Sequence, residues 1–268
     1  MKTILLARHG QASFGSENYD NLSELGIQQA QLLGDYFKKH NKTVDQIFTG
    51  TLVRQKDTAS HFLSRFATQA QDITNSEKMA LQTIGQFDEF NHQQVMLAAS
   101  DYDNLEDFKQ SLRQQPSATH KQESTQTSKN KHLAELFKQA MIRWHSAEQL
   151  NNDDDYDESW LQFADRCYEG LQQVIEQTAD GQTSLVFTSG GVIASIVSQL
   201  LNMPTDALKS QTAFSINRQL INTGVTSIVV SRASNIGKDG LSSLKNQLIT
   251  LNACEHLQLA GSDYLTWY

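Results

Sequence analysis

The chain opens on a short apolar run, Thr3 to Ala7, that stops abruptly at Arg8-His9-Gly10. A continuous run of this length, bounded by charge and glycine, predicts a strand buried on both faces, and such strands belong to parallel sheets covered by helices. Ligands of open α/β sheets bind outside the C-terminal ends of the strands. The first ten residues therefore predict both a fold and the place of its site.

The remaining pattern agrees. Further strand-like runs cover Gln46 to Thr49, Leu185 to Thr188, Val225 to Ser231 and Leu248 to Asn252, with Asp72 to Thr74 a weaker candidate. Between them lie helical patterns: Ser23 to His40, with Ser23 as N-cap, and Thr51 to Phe66, with Val53, Ala59, Phe62, Leu63 and Phe66 at helical intervals. Trp160 to Glu176 repeats the pattern through Phe163, Cys167, Leu171 and Val174. The alternation predicts an α/β fold, a central mostly parallel sheet flanked by helices on both faces. At 268 residues the chain is long enough for one large domain spanning 1–268, and no linker divides it.

Residues 91–158 read differently, as a helical insert over the site. They hold a Ser/Thr/Gln/Lys-dominated tract from Gln114 to Lys131 and the acidic run NNDDDYDE before Ser159. His132 to Leu150 predicts one amphipathic helix with Leu133, Leu136, Phe137, Ala140 and Trp144 facing inward. Phe137 and Trp144 read as packing residues rather than substrate contacts, and the polar tract as mobile surface decoration rather than a lid. Asp153 to Asp155 read as a solvated loop, since adjacent side chains diverge and no calcium-loop glycine pattern accompanies them.

Charge and cysteine content exclude several classes. With 30 acidic against 22 basic residues, the net charge of −8 gives no general attraction for nucleic acid or acidic membranes. Cys167 and Cys254 are too few for a disulfide framework and lack zinc spacing, and the histidines show no metal spacing. The N-terminal apolar run is too short for the core of a signal peptide, and no stretch approaches a membrane span. The expectation is a cytoplasmic protein with no cofactor, metal, nucleic-acid or membrane partner.

Against that acidic background Arg8 and His9 stand out. A guanidinium beside an imidazole, followed by a glycine that admits close backbone approach, suits a phosphoryl group: His9 can attack phosphorus while Arg8 holds its oxygens. Arg54 lies in the first turn of a predicted helix, where a cation opposes the helix dipole and calls for a bound anion. A pocket of Arg8, His9 and Arg54 would be a cationic hole in an anionic surface, favouring small or local phosphate groups over extended polyanions.

Several separated segments then resemble the histidine phosphatase superfamily, the phosphoglycerate mutase-like proteins. LSELGIQQAQLLGDYF (Leu22 to Phe37) is similar to its first helix, IFTGTLVRQKDTA (Ile47 to Ala59) to the strand and helix start carrying its second arginine, Arg54, and FDEF (Phe87 to Phe90) to the segment supplying its acid. LVFTSGGVIASIV (Leu185 to Val197) resembles its final strand, glycine turn and helix, and LNACEHL (Leu251 to Leu257) its closing strand. The resemblance implies a metal-independent site in which His9 becomes phosphorylated, Arg8 and Arg54 grip the phosphoryl oxygens, and Glu89 rather than Asp88 is the proton donor. His92, close by, reads as a structural or surface residue in preference to a phosphate contact. Two positions depart from the pattern. Thr188-Ser189-Gly190-Gly191 stands where the family carries Ser-His-Gly-Gly, so Ser189 replaces a second active-site histidine, and Gly15 stands at a usual asparagine, with Asn18 nearby.

Ser189 can still bind phosphate through one neutral hydrogen bond, and the Gly190 and Gly191 amides can face an oxyanion if they open a helix. The expected function is hydrolysis of a phosphoric monoester through a phosphohistidine, on a small-molecule phosphate ester or a phosphorylated protein. The alternative is a non-catalytic phospholigand-binding protein. A phosphoglycerate mutase is less favoured, because no extra basic residues near the motifs supply a second phosphate site. Nothing in the sequence indicates an oligomeric state.

Overall fold

A computed structural model describes residues 1–13, 20–67, 80–100, 104, 106–107, 135–146, 156–236 and 242–267, with the backbone alone at 232–236 and 242–244. Six strands form one mixed sheet: β1 (Lys2–Arg8), β2 (Gln46–Thr49), β3 (Leu81–Thr83), β4 (Thr183–Thr188), β5 (Val225–Ile236) and β6 (Ser242–Ala253), in the order β3-β2-β4-β1-β5-β6. Strands β3, β2, β4 and β1 are mutually parallel, and β5 runs against β1 and β6. Eight helices are described: α1 (Glu24–Lys39), α2 (Val53–Phe66), α3 (His92–Ala98), α4 (135–144), α5 (Trp160–Gln177), α6 (Gly190–Leu200), α7 (Asp206–Asn217) and α8 (Glu255–Gln258).

The strands alternate between two cores, which is why they read as continuous apolar runs. Ile4, Leu6, Phe48 and Val186 face one core with residues of α4, α5, α6 and α7, including Trp144, Trp160, Phe163 and Ile193. Ala7, Ile47, Leu185 and Phe187 face the other with Leu33 and Phe37 of α1 and Ala59 and Phe62 of α2. Helices on both faces are thus fixed by residue alternation along each strand.

Register then sets the site. Arg8 pairs with Thr188 and Thr49 with Phe187, so β1, β4 and β2 end at nearly one level and release His9, Ser189 and the loop to Arg54 together. On the other side Ala7 pairs with Val225, which brings the turn before β5 against the end of β1.

Helix ends follow the expected chemistry. The Ser23 side chain accepts the Gly26 amide and caps α1, and Ser159 forms a capping box with Gln162 at the start of α5. α2 begins at Val53, two residues inside the expected Thr51 start, and its N-cap, Leu52, offers no side-chain acceptor. LNACEHL ends in α8 rather than in a strand. β3 was not foreseen: three exposed residues at a sheet edge carry no apolar run. Asp72 to Thr74 and Asp153 to Asp155 lie outside the described residues, and the expected helix from His132 to Leu150 is described at 135–144.

The loop leaving β1 lies directly on α1. A Cβ on Gly26 would run into the Gln11 carbonyl, and one on Gly10 into the Gly26 carbonyl, so two glycines allow two backbones to touch. Gly26→Ala is expected to push the Gln11 loop off α1 and to cost about 1–3 kcal/mol of stability, as overpacking does. Urea unfolding measures it, with vanadate affinity as the companion reading. An unchanged midpoint would mean the loop moves aside freely.

Candidate active site

His9 is held from every side. Its amide donates to the Thr188 carbonyl at 2.7 Å and its own carbonyl accepts from Asn222 Nδ2 at 3.1 Å. Its Nδ1 lies 2.7 Å from the Gly10 carbonyl. A carbonyl only accepts, so Nδ1 carries the proton and Nε2 the lone pair. Nε2 in turn receives the Arg54 Nε–H at 3.2 Å. The ring is buried, and its pKa lies well below the usual histidine range, first because burial penalises the imidazolium and then because Arg54 and Arg8 repel it.

Each arginine is fixed by oxygen acceptors. Arg8 gives Nη1 to the Leu220 carbonyl at 2.5 Å and the Trp267 carbonyl at 2.9 Å. Arg54 gives Nη1 to Asp20 Oδ1 at 2.7 Å, while Asp20 Oδ2 accepts the Val53 amide at 2.8 Å. The anion that a cation in the first turn of α2 calls for is therefore Asp20, which also supplies the missing N-terminal acceptor. Gly15 and Asn18 lie outside the described residues.

Glu89 joins these groups from a separate element. Its Oε2 accepts the Gly191 amide at 3.0 Å, and a Cβ at Gly191 would collide with Oε1, so this contact requires glycine. Burial raises its pKa, against the pull of the Gly191 amide and of both arginines. Asp88, its neighbour, is spent elsewhere, on the Thr51 amide and hydroxyl. The segment is clamped from α5: Arg166 donates to the carbonyls of Gln86 and Asp88 at 3.0 Å each and is itself held by both oxygens of Glu158. His92, the first residue of α3, stacks between Phe90, at a centroid distance of 4.2 Å, and Phe137, at 5.6 Å. Burial, then Arg54 and Arg8, push its pKa down to about 3. It is thus a neutral ring within the field of the same arginines.

Ser189 is fully buried and leaves α6 uncapped. Its Oγ accepts from Gln55 Nε2 at 2.8 Å, and the same amide donates to the Phe87 carbonyl at 2.9 Å. Gly190 and Gly191 do open α6, as the oxyanion expectation requires, but the Gly191 amide is engaged by Glu89. The structure therefore gathers Arg8, His9, Arg54 and Glu89, with Ser189 and Gly190 at the adjoining helix start. It adds Asp20, Gln55, Asn222 and Thr223, which carry no motif. Thr223 has φ 58°, an unfavourable region for a β-branched residue; its amide donates to the Arg8 carbonyl at 3.0 Å and its hydroxyl contacts His256 Nε2 at 2.9 Å.

Among the described residues no group of three or more His, Cys, Asp or Glu could hold a metal ion, and no helix is long and apolar enough to cross a membrane. The chain matches the histidine phosphatase superfamily (branch 1) over residues 4–127 and 122–233. It belongs to that superfamily. It is 30% identical over 118 residues to the 2,3-bisphosphoglycerate-dependent phosphoglycerate mutase of Staphylococcus aureus, covering 38% of this chain and 52% of the mutase. The chain thus spans about half the length of the curated relatives it matches. Solved structures of the same fold include Bacillus stearothermophilus YhfR, with TM-score 0.58, 18% identity and coverage of 96% of this chain and 100% of that one. A phosphoserine phosphatase from Entamoeba histolytica gives TM-score 0.55 at 15% identity, covering 96% and 100%. A mycobacterial glucosyl-3-phosphoglycerate phosphatase gives 0.52 at 18% identity, covering 94% and 99%.

Neutral histidines, buried or half-buried, predict the acid sensitivity of this superfamily member. His92, His145 and His256 have pKa values pushed down to about 3, chiefly by burial, and His9 lies well below its usual range. The unfolded chain takes up protons near pH 6.5 that the folded one refuses, so stability present above that pH is lost as pH falls. Each such histidine contributes a slope of about 1.4 kcal/mol per pH unit. Glu89, raised, acts with the opposite sign and offsets part of this at the acidic end. Urea unfolding between pH 7.5 and 5 should show the loss, and His145→Gln should reduce the slope by about one proton. A flat profile would show that these rings protonate in the folded state.

Proposed function

We propose that this chain is a phosphoric monoester hydrolase that works through a phosphohistidine on His9. The observation that carries the reading is the commitment of Nδ1 to the Gly10 carbonyl, which leaves a buried, unprotonated Nε2 beside two guanidinium groups. An imidazole in that state is a nucleophile at neutral pH. A phosphate monoester docks with its non-bridging oxygens on Arg8 and Arg54, displacing the Arg54 Nε–H from the His9 lone pair. Nε2 then bonds to phosphorus as the bond to the ester oxygen breaks, and Glu89, whose pKa burial raises, delivers the proton of its protonated form to the departing oxygen. In the second half a water oxygen attacks phosphorus, the Nε2–phosphorus bond breaks, and the Glu89 carboxylate takes the water's proton. Inorganic phosphate leaves and the site is restored.

Arg54 and Arg8 are the arginines whose charge reaches His9 among the described residues. Two guanidiniums match one phosphoryl group, which supports hydrolysis over transfer between two phosphates and favours a small-molecule ester or a phosphorylated protein over a polyanion. Ser189, in place of a second histidine, removes a cationic donor and lowers the rate without abolishing chemistry, on a scale of about 10²–10³ for one preorganised donor. It is also the observation that keeps a phospholigand-binding protein as the second reading. Because Gln55 lies on Ser189, a histidine at 189 must displace it. A gain in turnover of about tenfold or more is expected in the Gln55→Ala/Ser189→His double variant and not in Ser189→His alone.

The decisive experiment is acid-labile, base-stable labelling of the protein by a phosphate ester at rapid quench, present in the native chain and absent in His9→Ala. Full hydrolysis by His9→Ala would remove the mechanism, and phosphate binding without any labelling would favour the binding protein. Glu89→Gln should slow alkyl phosphates far more than p-nitrophenyl phosphate, since a good leaving group needs little protonation. Equal losses on both would assign Glu89 a structural part only.

A further inference from the structure

The turn before β5 and the segment Tyr264–Trp267 meet beneath the nucleophile through a series of hydrogen bonds whose directions are all set. The Gln11 amide donates to Gln29 Oε1 at 2.9 Å, so Gln29 presents Nε2 on its other side. Nε2 donates to the Thr266 hydroxyl at 2.8 Å and to the Tyr264 carbonyl at 2.8 Å. Thr266 Oγ1, already an acceptor, donates to Asn222 Oδ1 at 2.9 Å. Asn222 must then turn Nδ2 toward the His9 carbonyl, 3.1 Å away. The series starts two residues after His9 and ends on it. Gln29 and Asn222 are fully buried, so neither can trade these partners for water. The same terminal segment accepts the Asn222 amide on the Thr266 carbonyl at 2.9 Å and holds Arg8 Nη1 on the Trp267 carbonyl at 2.9 Å.

We infer that Thr266 is a positioning residue for His9, acting through Asn222, and that the segment Tyr264–Trp267 holds Arg8 and His9 in their working geometry. The reasoning is about amide orientation. Without the Thr266 hydroxyl proton, Asn222 Oδ1 loses its donor, only the His9 carbonyl is left to orient the carboxamide, and the flipped form, which sets oxygen against that carbonyl, becomes accessible. The peptide that carries His9 then moves, and the ring moves with it. A displacement of this kind leaves phosphate affinity largely intact, because the arginines provide it, and lowers the chemical step.

This inference rests on the hydrolase reading for its kinetic test but not for its structural one. In the full chain, Thr266→Val should lower kcat for p-nitrophenyl phosphate by about tenfold with KM changed less than about twofold, the scale expected of a sub-ångström misplacement. Thr266→Ser, which keeps the hydroxyl, should restore kcat to within about twofold. In an Asn222→Ala background Thr266→Val should cost nothing further, since the two act in series. The nitrogen NMR signals of the His9 ring should shift in Thr266→Val and not in Thr266→Ser. Native kcat and native His9 signals in Thr266→Val, or additive losses with Asn222→Ala, would overturn the inference. If valine prevents folding, Thr266→Ala removes the hydroxyl without added bulk and carries the same expectations. Should the native chain show no turnover, the hydrolase reading fails while the His9 signals still decide this one.

Discussion

Burial of an uncharged imidazole beside two guanidinium groups is the constraint around which the rest of this fold is arranged. The ring is stable in that place only while neutral, and the cations only while their remaining donors find oxygens. Four carbonyls and one carboxylate answer part of that demand: Gly10 on the ring, Leu220 and Trp267 on Arg8, Thr188 on the His9 amide, and Asp20 on Arg54. Gly10 follows His9 directly, and the other four come from separate parts of the chain. The sheet order, with β1 between a parallel and an antiparallel neighbour, brings them to one end, because the loop after β4 and the turn before β5 then flank the same strand terminus.

Counter-charge is rationed within the site. Asp20 pairs with Arg54 at 2.7 Å and is partly open to water, whereas burial raises the pKa of Glu89. The two carboxylates therefore differ: Asp20 neutralises Arg54, while Glu89 holds its proton to higher pH than an ordinary carboxylate. Asp88, although adjacent to Glu89, is withdrawn by Thr51 and stabilises the approach to α2. The Arg166–Glu158 pair sets this segment through carbonyls, so Glu89 is aimed by the backbone that leads into it.

Local signals in the sequence sufficed for what local chemistry decides. β1 and its Arg8-His9-Gly10 ending, the Ser23 cap, and the strand and helix of residues 183–200 are each written in a few adjacent residues. Glu89 needed a resemblance, because a carboxylate has no periodicity of its own, whereas Arg54 was marked both by the resemblance and by its place in the first turn of a helix. Asp20, Gln55, Asn222 and Thr266 were not legible at all. Their partners stand 34, 134, 213 and 237 positions away in the chain, and only register and helix packing bring them together. Ser189 could be recognised as a changed residue, but that Gln55 fills the space beside it is a fact of tertiary structure.

Phe90 links the chemistry to the region expected to be an insert. Its ring is buried 4.5 Å from Trp144 of α4 and 5.5 Å from Phe163 of α5, and it also lies against Gly191 where Glu89 is bound. Trp144 is anchored in turn by its indole N–H on the Glu158 carbonyl, and the adjacent His145 by Ser210 of α7. Residues 91–158 thus contribute Val95, Ala140, Met141, Trp144 and Tyr156 to the core. A rotation of α4 would reach Glu89 through Phe90 before it reached His9, because His9 is held by β4, the turn before β5 and the terminal segment. His9 and Arg8 thus stand at the end of β1, while Glu89 sits where the sheet meets α4 and α5; under the proposed mechanism a change in α4 would bear on proton donation before it bore on the nucleophile.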